Sequence, residues 1–423
     1  MEIKLKFGVL ALMSAFMTVS ACGGGGGSGS GEATPRSSTG PITAFGSIYV
    51  NGNHYETDGA DVYIEDEMSD ESELRTGMMV TVVEDEHGNA ASISHDDDLE
   101  GIVTGVDVAA GTIDVMGYTV TVTNETIFES YVASITDVTM IQQGHIIEVS
   151  GYSSGTGTIS ATRIEVKALD LASYLTNHSE GIEVKGVVMN HSADTSEFDI
   201  GSMTVNYATA ILDDLPNGID NNIYVEVKST QGLDNTGVLI ASKVEQEDDG
   251  SIEHEGDEED EYEFSGIIME IGADTITVNS QVVTITADTE IEDDGQGPLA
   301  VGDEVEVEGY FDANGNLIAE EIEREEDESS HVEFKDKIDT VVVPDPNDPN
   351  VGTITLMDGT VILVNNDTLM HDSQDEGVMA DTHFNLSDLM SGDYIEVYAT
   401  DNGDGTHTAI KIEREDMPMP VPM

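Results

Sequence analysis

Gly302-Asp303-Glu304-Val305-Glu306-Val307-Glu308-Gly309-Tyr310 is the stretch on which the fold turns. Valine and glutamate alternate through its centre, so one face of the segment is apolar and the other fully charged. A period of two belongs to a half-buried β-strand and cannot be satisfied by a helix. Gly302 stands three residues ahead of the first valine. Glycine there predicts a tight turn with positive φ leading into the strand.

The pattern is not unique in the chain. Val80-Thr81-Val82, Ile147-Glu148-Val149, Val225-Glu226-Val227 and Ile395-Glu396-Val397 repeat it, each preceded at the same distance by Gly77, Gly144, Asn222 or Gly392. Downstream of each strand comes an Ala-x-x-(Ile/Val) line: Ala90 to Ile93, Ala161 to Ile164, Ala241 to Val244, Ala319 to Ile322 and Ala409 to Ile412. Upstream lie two alternating runs joined at Asn51-Gly52, Met116-Gly117, Gly201-Ser202, Asn279-Ser280 or Asp358-Gly359. Asn-Gly and Asp-Gly are strong hairpin signals, because type I′ turns need positive φ twice. A further polar turn follows in three places, as Asn124-Glu125-Thr126, Asp288-Thr289-Glu290 and Asn366-Asp367-Thr368. The first and last of these fit the glycosylation sequon, but their recurrence at one place in the repeat reads as turn chemistry. A leading strand opens most copies at Gly46, Gly101, Gly186 or Gly266.

Self-similarity at this spacing defines an array. The fold class expected is all-β: a tandem array of about five small antiparallel β-barrel domains, OB- or SH3-like, because a short antiparallel chain hides its edges by closing on itself. The copies are placed at 42–98, 99–168, 180–247, 263–326 and 331–415, with an acidic linker at 248–262 and an unstructured tail at 416–423. They are expected to hang as a string of domains. No long amphipathic helix is expected; Leu169–Leu175 and Leu386–Met390 suit single turns.

The copies resemble the bacterial domain of unknown function 5666 family. Gly101-Ile102-Val103, Gly111-Thr112-Ile113, Gly151-Tyr152 and Ala161-Thr162-Arg163-Ile164-Glu165 carry the resemblance in copy two, and Gly302 to Tyr310 in copy four. Copies one, three and five diverge more. The family implies small tandem β-domains on exported, often lipidated proteins, and supplies no catalytic residues.

The amino terminus predicts the address. Lys4 and Lys6 precede an apolar run from Phe7 to Val19, too short for a bilayer span of about 20 residues and suited to a signal peptide over 1–21. Val19-Ser20-Ala21-Cys22 resembles a lipobox, with cleavage between Ala21 and Cys22 and lipidation at Cys22, the single cysteine of the chain. An unpaired thiol would be a liability in an oxidising compartment; acylation removes it and anchors the chain. The Gly/Ser-rich segment 22–41 reads as a tether with a reach of roughly 25 Å. Gly23 after the cysteine resembles outer-membrane sorting, so the expected location is the outer membrane, facing the periplasm or the cell surface.

Eighty-six Asp and Glu oppose 14 Lys and Arg, a net charge of −72. Such a surface repels nucleic acid and anionic headgroups. It favours cations, cationic partners or a saline habitat. The expected function is therefore a non-enzymatic structural or interaction array on the envelope, whose partners are the membrane, through its lipid anchor, and an envelope protein or polymer. The alternative is a binding protein for Ca²⁺, Mg²⁺ or a cationic partner. No cofactor is expected beyond weak Ca²⁺ or Mg²⁺ association. Individual metal candidates are weak. The run Glu245–Glu263 holds twelve carboxylates but no fixed cage. Asp401-Asn402-Gly403-Asp404-Gly405 is calcium-loop-like but falls at a hairpin. His95, His254 and His371 recur at no common position and read as exposed loop histidines. No free thiol, no Gly-x-Ser-x-Gly elbow and no phosphate loop opening a helix is expected to support catalysis.

Overall fold

A computed structural model describes residues 37–416 except 66, 98, 134, 155–156, 248–260, 293–296, 326–330, 347 and 374–382. Ala21, Cys22, the signal peptide, most of the tether, most of the acidic linker and most of the tail therefore lie outside the described residues.

Each copy is built from five strand positions. In copy two they are Leu99–Asp107, Thr112–Val115, Tyr118–Ser130, Ile146–Ser153 and Thr158–Ala168. The first strand pairs with the second and the fourth, the second with the third, the third runs parallel to the fifth, and the fifth returns antiparallel to the fourth. That ring is a closed five-stranded barrel with OB-like strand order. Copy four closes the same way through Glu261–Ile271, Thr275–Val278, Gln281–Thr284, Glu304–Phe311 and Leu317–Arg324, with the short strand Glu290–Glu292 added beside the fifth. Copy five has the same ring of pairings, with Leu369–Asp372 in that added place. In copy three the ring is divided between two sheets, because its first strand breaks between Val187 and Met189 and its last between Ile240 and Lys243. Copy one follows the same order; its third and fifth positions are joined by Ala90 N–H to Glu56 O at 3.0 Å and, further on, by the parallel pairing of Asp61–Ile64 with Ser92–His95.

The turn ahead of the fourth strand is as expected. Gly77, Gly144, Asn222, Gly302 and Gly392 all have positive φ, between 68° and 101°. The reason is visible in the hydrogen bonds. Each of these residues donates its N–H to the first strand, to Ile42, Val103, Val188, Ile268 or Ile338, at 2.8–2.9 Å. The left-handed residue thus extends the ladder around the corner. In copies one, two, four and five the first strand carries a register shift beside its acceptor residue, at Ile42/Ala44, Val103/Gly105, Ile268/Glu270 and Ile338/Thr340. Such a bulge bends a strand enough to serve two sides of a small barrel. The hairpin turns are less uniform than expected. Positive φ occurs at both residues only at Asn51-Gly52 and Met116-Gly117; Asp358-Gly359 uses it at Gly359 alone.

The recurring polar turns have a defined task. Thr126, Thr289 and Thr368 donate their hydroxyls to the carbonyls of Ala161, Ala319 and Ala409 at 2.7, 2.8 and 2.9 Å. Each hydroxyl also accepts the N–H three residues earlier, from Thr123, Thr286 or Asn365. One side chain thereby pins the third strand position to the fifth. Thr126→Val keeps the shape and removes the donor. It should cost about 1 kcal/mol and lower the melting temperature of the chain; an unchanged midpoint would contradict this role.

The copies do not hang as separate beads. Ser37–Thr39 of copy one pairs in parallel with Tyr262–Phe264 of copy four, and Leu99–Glu100 of copy two pairs with Glu183–Val184 of copy three. Ala44 and Tyr49 of copy one sit in the buried cluster of copy five. Strand geometry also takes Ser37–Pro41 and Glu261–Tyr262, which composition reads as tether and linker, into these shared sheets. The only α-helix among the described residues is the single turn Leu171–Tyr174, and no helix among them is long and apolar enough to cross a membrane.

Candidate functional site: the acidic outer face

Because the fourth and fifth strands alternate, their glutamates line up across the barrel exterior in rows. In copy two, Glu129, Glu165, Glu148 and Glu100 stand directly opposite one another across four strands. Like charges so placed are destabilising. The fold answers with the few cations it has. Arg163, 1% exposed, pairs with Glu129 and with Glu165 at 3.1 Å. Lys167 reaches Glu148 at 2.7 Å and Glu165 at 3.3 Å. In copy three Lys228 bridges Glu183 and Glu226 at 2.9 and 3.2 Å, and Lys243 pairs with Glu245. In copy five Lys335 meets Glu396 at 2.7 Å and Lys411 meets Glu413 at 3.2 Å. Nine of the eleven described Lys and Arg residues form such ion pairs.

Copy four departs from this scheme. Glu290, Glu321, Glu308 and Glu263 form one row, and Glu292, Glu323 and Glu306 the next. Its fifth strand carries Glu321 where copies two, three and five carry Arg163, Lys243 and Lys411, and copy one Ser92. The single basic residue of this copy, Arg324, is turned to the barrel end, where it pairs with Asp303 and donates to the carbonyls of Gly297 and Pro298. Burial, followed by repulsion from Glu263 and Glu325, pushes the Glu306 carboxyl up to about 9.

Among the described residues, four groups of three carboxylates bring their oxygens within 4.8 Å of one another: Glu65/Glu183/Glu226, Asp213/Asp214/Glu245, Glu226/Glu245/Glu247 and Glu263/Glu306/Glu308. Lysines already occupy the first three, through Lys185 on Glu65, Lys228 on Glu183 and Glu226, and Lys243 on Asp213 and Glu245. The fourth belongs to copy four.

The other sequence candidates resolve individually. Asp401 accepts the N–H of Gly403 at 2.9 Å, and Asp404 that of Thr406 at 2.9 Å, so both carboxylates anchor the hairpin turn. Asp85, Asp234 and Asp312 do the same at the equivalent hairpins, each taking the N–H groups two and four residues on. His254 lies outside the described residues. His95 is not the exposed loop histidine expected. It is 2% exposed at the joint of copies one and two, with Nδ1 donating to Met79 O at 2.7 Å and Nε2 at 3.2 Å from Asp97. Burial opposes its charge, but Asp97 beside it prevails and holds the imidazole up at about 9. The Gly-x-Ser-x-Gly spacing does occur once, against expectation, at Gly151-Tyr152-Ser153-Ser154-Gly155. Its serine ends the fourth strand of copy two, paired with Ile159, and not a strand-to-helix elbow.

A ring of five strands with a bulged first strand, repeated along one chain, defines a tandem OB-like protein. Residues 100–165, 265–323 and 345–413 match the model of DUF5666, a domain of unknown function, so copies two, four and five are copies of that domain. Copy five thus matches alongside two and four despite its divergent opening. Among solved structures the chain is similar to Drosophila Unr CSD456, at 12% identity over 55% of this chain and 97% of that one, with a TM-score of 0.14. It is also similar to a Streptococcus pneumoniae TIGR4 multidomain protein with nucleic acid binding domains, at 9% identity over 57% and 75%, with a TM-score of 0.16. No curated protein matches.

Proposed function

We propose that this chain is a non-enzymatic, membrane-anchored acidic lipoprotein of the bacterial outer membrane, acting as an interaction array of β-domains. One observation carries the interaction reading: the cations of copies two, three and five are engaged on their own glutamate rows, whereas in copy four Glu321 stands in the place of that cation. The array is thus a polyanion with one face left for cations from outside, a divalent ion or a cationic partner. Nucleic acid fits neither the charge nor the placement of the lysines. The anchor reading rests on Ala21-Cys22 and the preceding apolar run.

Cys22→Ala should release the protein from the membrane fraction and abolish labelling by a fatty-acid probe, while the melting curve of the array stays as it was. Unchanged membrane partitioning would overturn the anchor. For the acidic face, calorimetric titration of the mature chain with Ca²⁺ should give saturable heat that Glu306→Gln reduces. Absence of heat with Ca²⁺, together with no response of the melting temperature to cations beyond that of ionic strength, would overturn cation uptake.

A further inference from the structure

The opening residues of the first strand are the joint by which copies pair. In copy one, Ser37–Thr39 lies between its own Thr81–Val83 and Tyr262–Phe264, the opening of copy four. In copy two, Leu99–Glu100 lies between its own Glu148–Val149 and Glu183–Val184, the opening of copy three. Copies one to four are thereby joined in two pairs, and copy five is the odd one. Its opening, Val332–Asp336, pairs with Ile395–Ala399 on one side, and among the described residues no strand pairs along the other. Its outward side chains are correspondingly free of cover. The side chain of Glu333 is 50% exposed, against 11% for Glu183, which holds the same place in copy three. Met357, 53% exposed, borders this edge through its N–H to Lys337 O at 2.9 Å.

Copies two and three show the register such a joint takes. Leu99, Val184 and Phe334 stand at one place in the first strand, opposite Val149, Val227 and Val397 of the fourth. Leu99 faces Val184 in antiparallel pairing, so the joint has a local two-fold axis there, and one continuous core runs through both copies. Beside it the hairpins meet, with Ser202 N–H donating to Gly117 O at 3.0 Å. In copies two and three this register sets Glu100 against Glu183. The opening of copy five, laid against itself in the same register, sets Phe334 on Phe334 and Glu333 opposite Lys335 twice over. It is self-complementary, as the isologous contact of a two-fold dimer requires. The hairpin with Met357 falls where the hairpins of copies two and three meet, so its apolar side chain is covered as well. The net charge of the chain opposes association, but salt screens it beyond about 8 Å, whereas residues directly opposed across a pair of strands have Cβ atoms about 5 Å apart. We infer that two copies of this chain associate through copy five, with the strands Val332–Asp336 pairing antiparallel about an axis at Phe334 and Glu333 of each facing Lys335 of the other.

The test uses the full mature chain bearing Cys22→Ala, which keeps lipid out of the measurement, in moderate salt. Sedimentation equilibrium should show a reversible monomer–dimer equilibrium, and hydrogen-exchange protection within 332–336 should grow with protein concentration. Glu333→Lys alone and Lys335→Glu alone should each weaken dimerisation at least tenfold, because like charges then face one another. An equimolar mixture of the two variants should recover it, since each presents the charge that the other lacks. Lys335 also holds Glu396 at 2.7 Å, so melting curves check that both variants fold. Should Lys335→Glu unfold, the exposed change Glu333→Lys and the concentration-dependent protection still decide. A chain that stays monomeric up to millimolar concentration would overturn the proposal. So would dimers that Glu333→Lys leaves intact, dimers without protection at 332–336, or a mixture of folded variants that associates no better than either alone.

Discussion

Arg163→Met should destabilise the protein by about 3–5 kcal/mol, the usual consequence of removing one partner from a buried ion pair. Arg163 is almost fully buried, and its guanidinium lies between Glu129 and Glu165, with Glu148 close enough to add to its stabilisation. Methionine fills much of the volume but leaves those carboxylates facing one another in one row. The site is also where copies meet. A side chain on Gly77 of copy one would lie 2.9 Å from Thr162 O and 3.1 Å from Arg163 Cβ, so the two backbones pass at glycine distance. Thr162 donates its hydroxyl to Gly77 O at 2.6 Å across the same joint. Lys243→Met is the control: Lys243 is one-third exposed beside Asp213 and Glu245, and an exposed pair contributes about 0–1 kcal/mol. Chemical denaturation of both variants checks the difference. Equal, small losses would show that Arg163 does not hold the joint.

Acidification should stabilise the protein, against the usual trend for acid-rich folds. Burial pushes Glu306 up to about 9 and Glu100 to about 8, and burial with Glu148 nearby pushes Asp97 to about 7. For a carboxyl raised in the fold, the cost of ionisation is absent below its ordinary range and complete above the raised value. His95, held up at about 9, contributes stability that is complete below about 6.5 and lost as pH rises through about 9. Every one of these groups therefore favours the fold as pH falls from about 9 to about 4.5. Each unit of displacement corresponds to about 1.4 kcal/mol, and the falling net charge adds to it. Below that range the sign reverses. Burial disfavours the Glu148 charge, but Lys167 outweighs it and holds the carboxyl down at about 2, so its contribution is lost on approach to that value. Melting temperature against pH at fixed ionic strength should peak between about pH 4 and 5. A midpoint that rises from pH 5 to pH 8 would show that these carboxylates do not carry their burial cost. Glu306→Gln should flatten the upper part of the profile without moving the lower.

The local order of this protein is written in short-range patterns. Alternation in Glu304–Glu308 places two valines inside and three glutamates outside, and Gly302 makes the corner, because both depend only on backbone geometry within a few residues. Repetition of these signals along the chain then suffices for five copies and for their all-β class. The proposed anchor, too, rests on a local pattern, Lys4, Phe7–Val19 and Cys22. What only the tertiary structure decided is which charges face which. Glu129, Glu165, Glu148 and Glu100 become one row through register between strands far apart in sequence, and Thr43 donates to Asn366 O across 323 residues. A linear run of acids looks alike in every copy. Arg163, Lys243 and Lys411 against Glu321 is a difference of one residue per copy, and it acquires meaning only once the fifth strand is laid beside the third and fourth. Burial and Coulomb energy depend on distance in space, and the chain sets that distance only by folding.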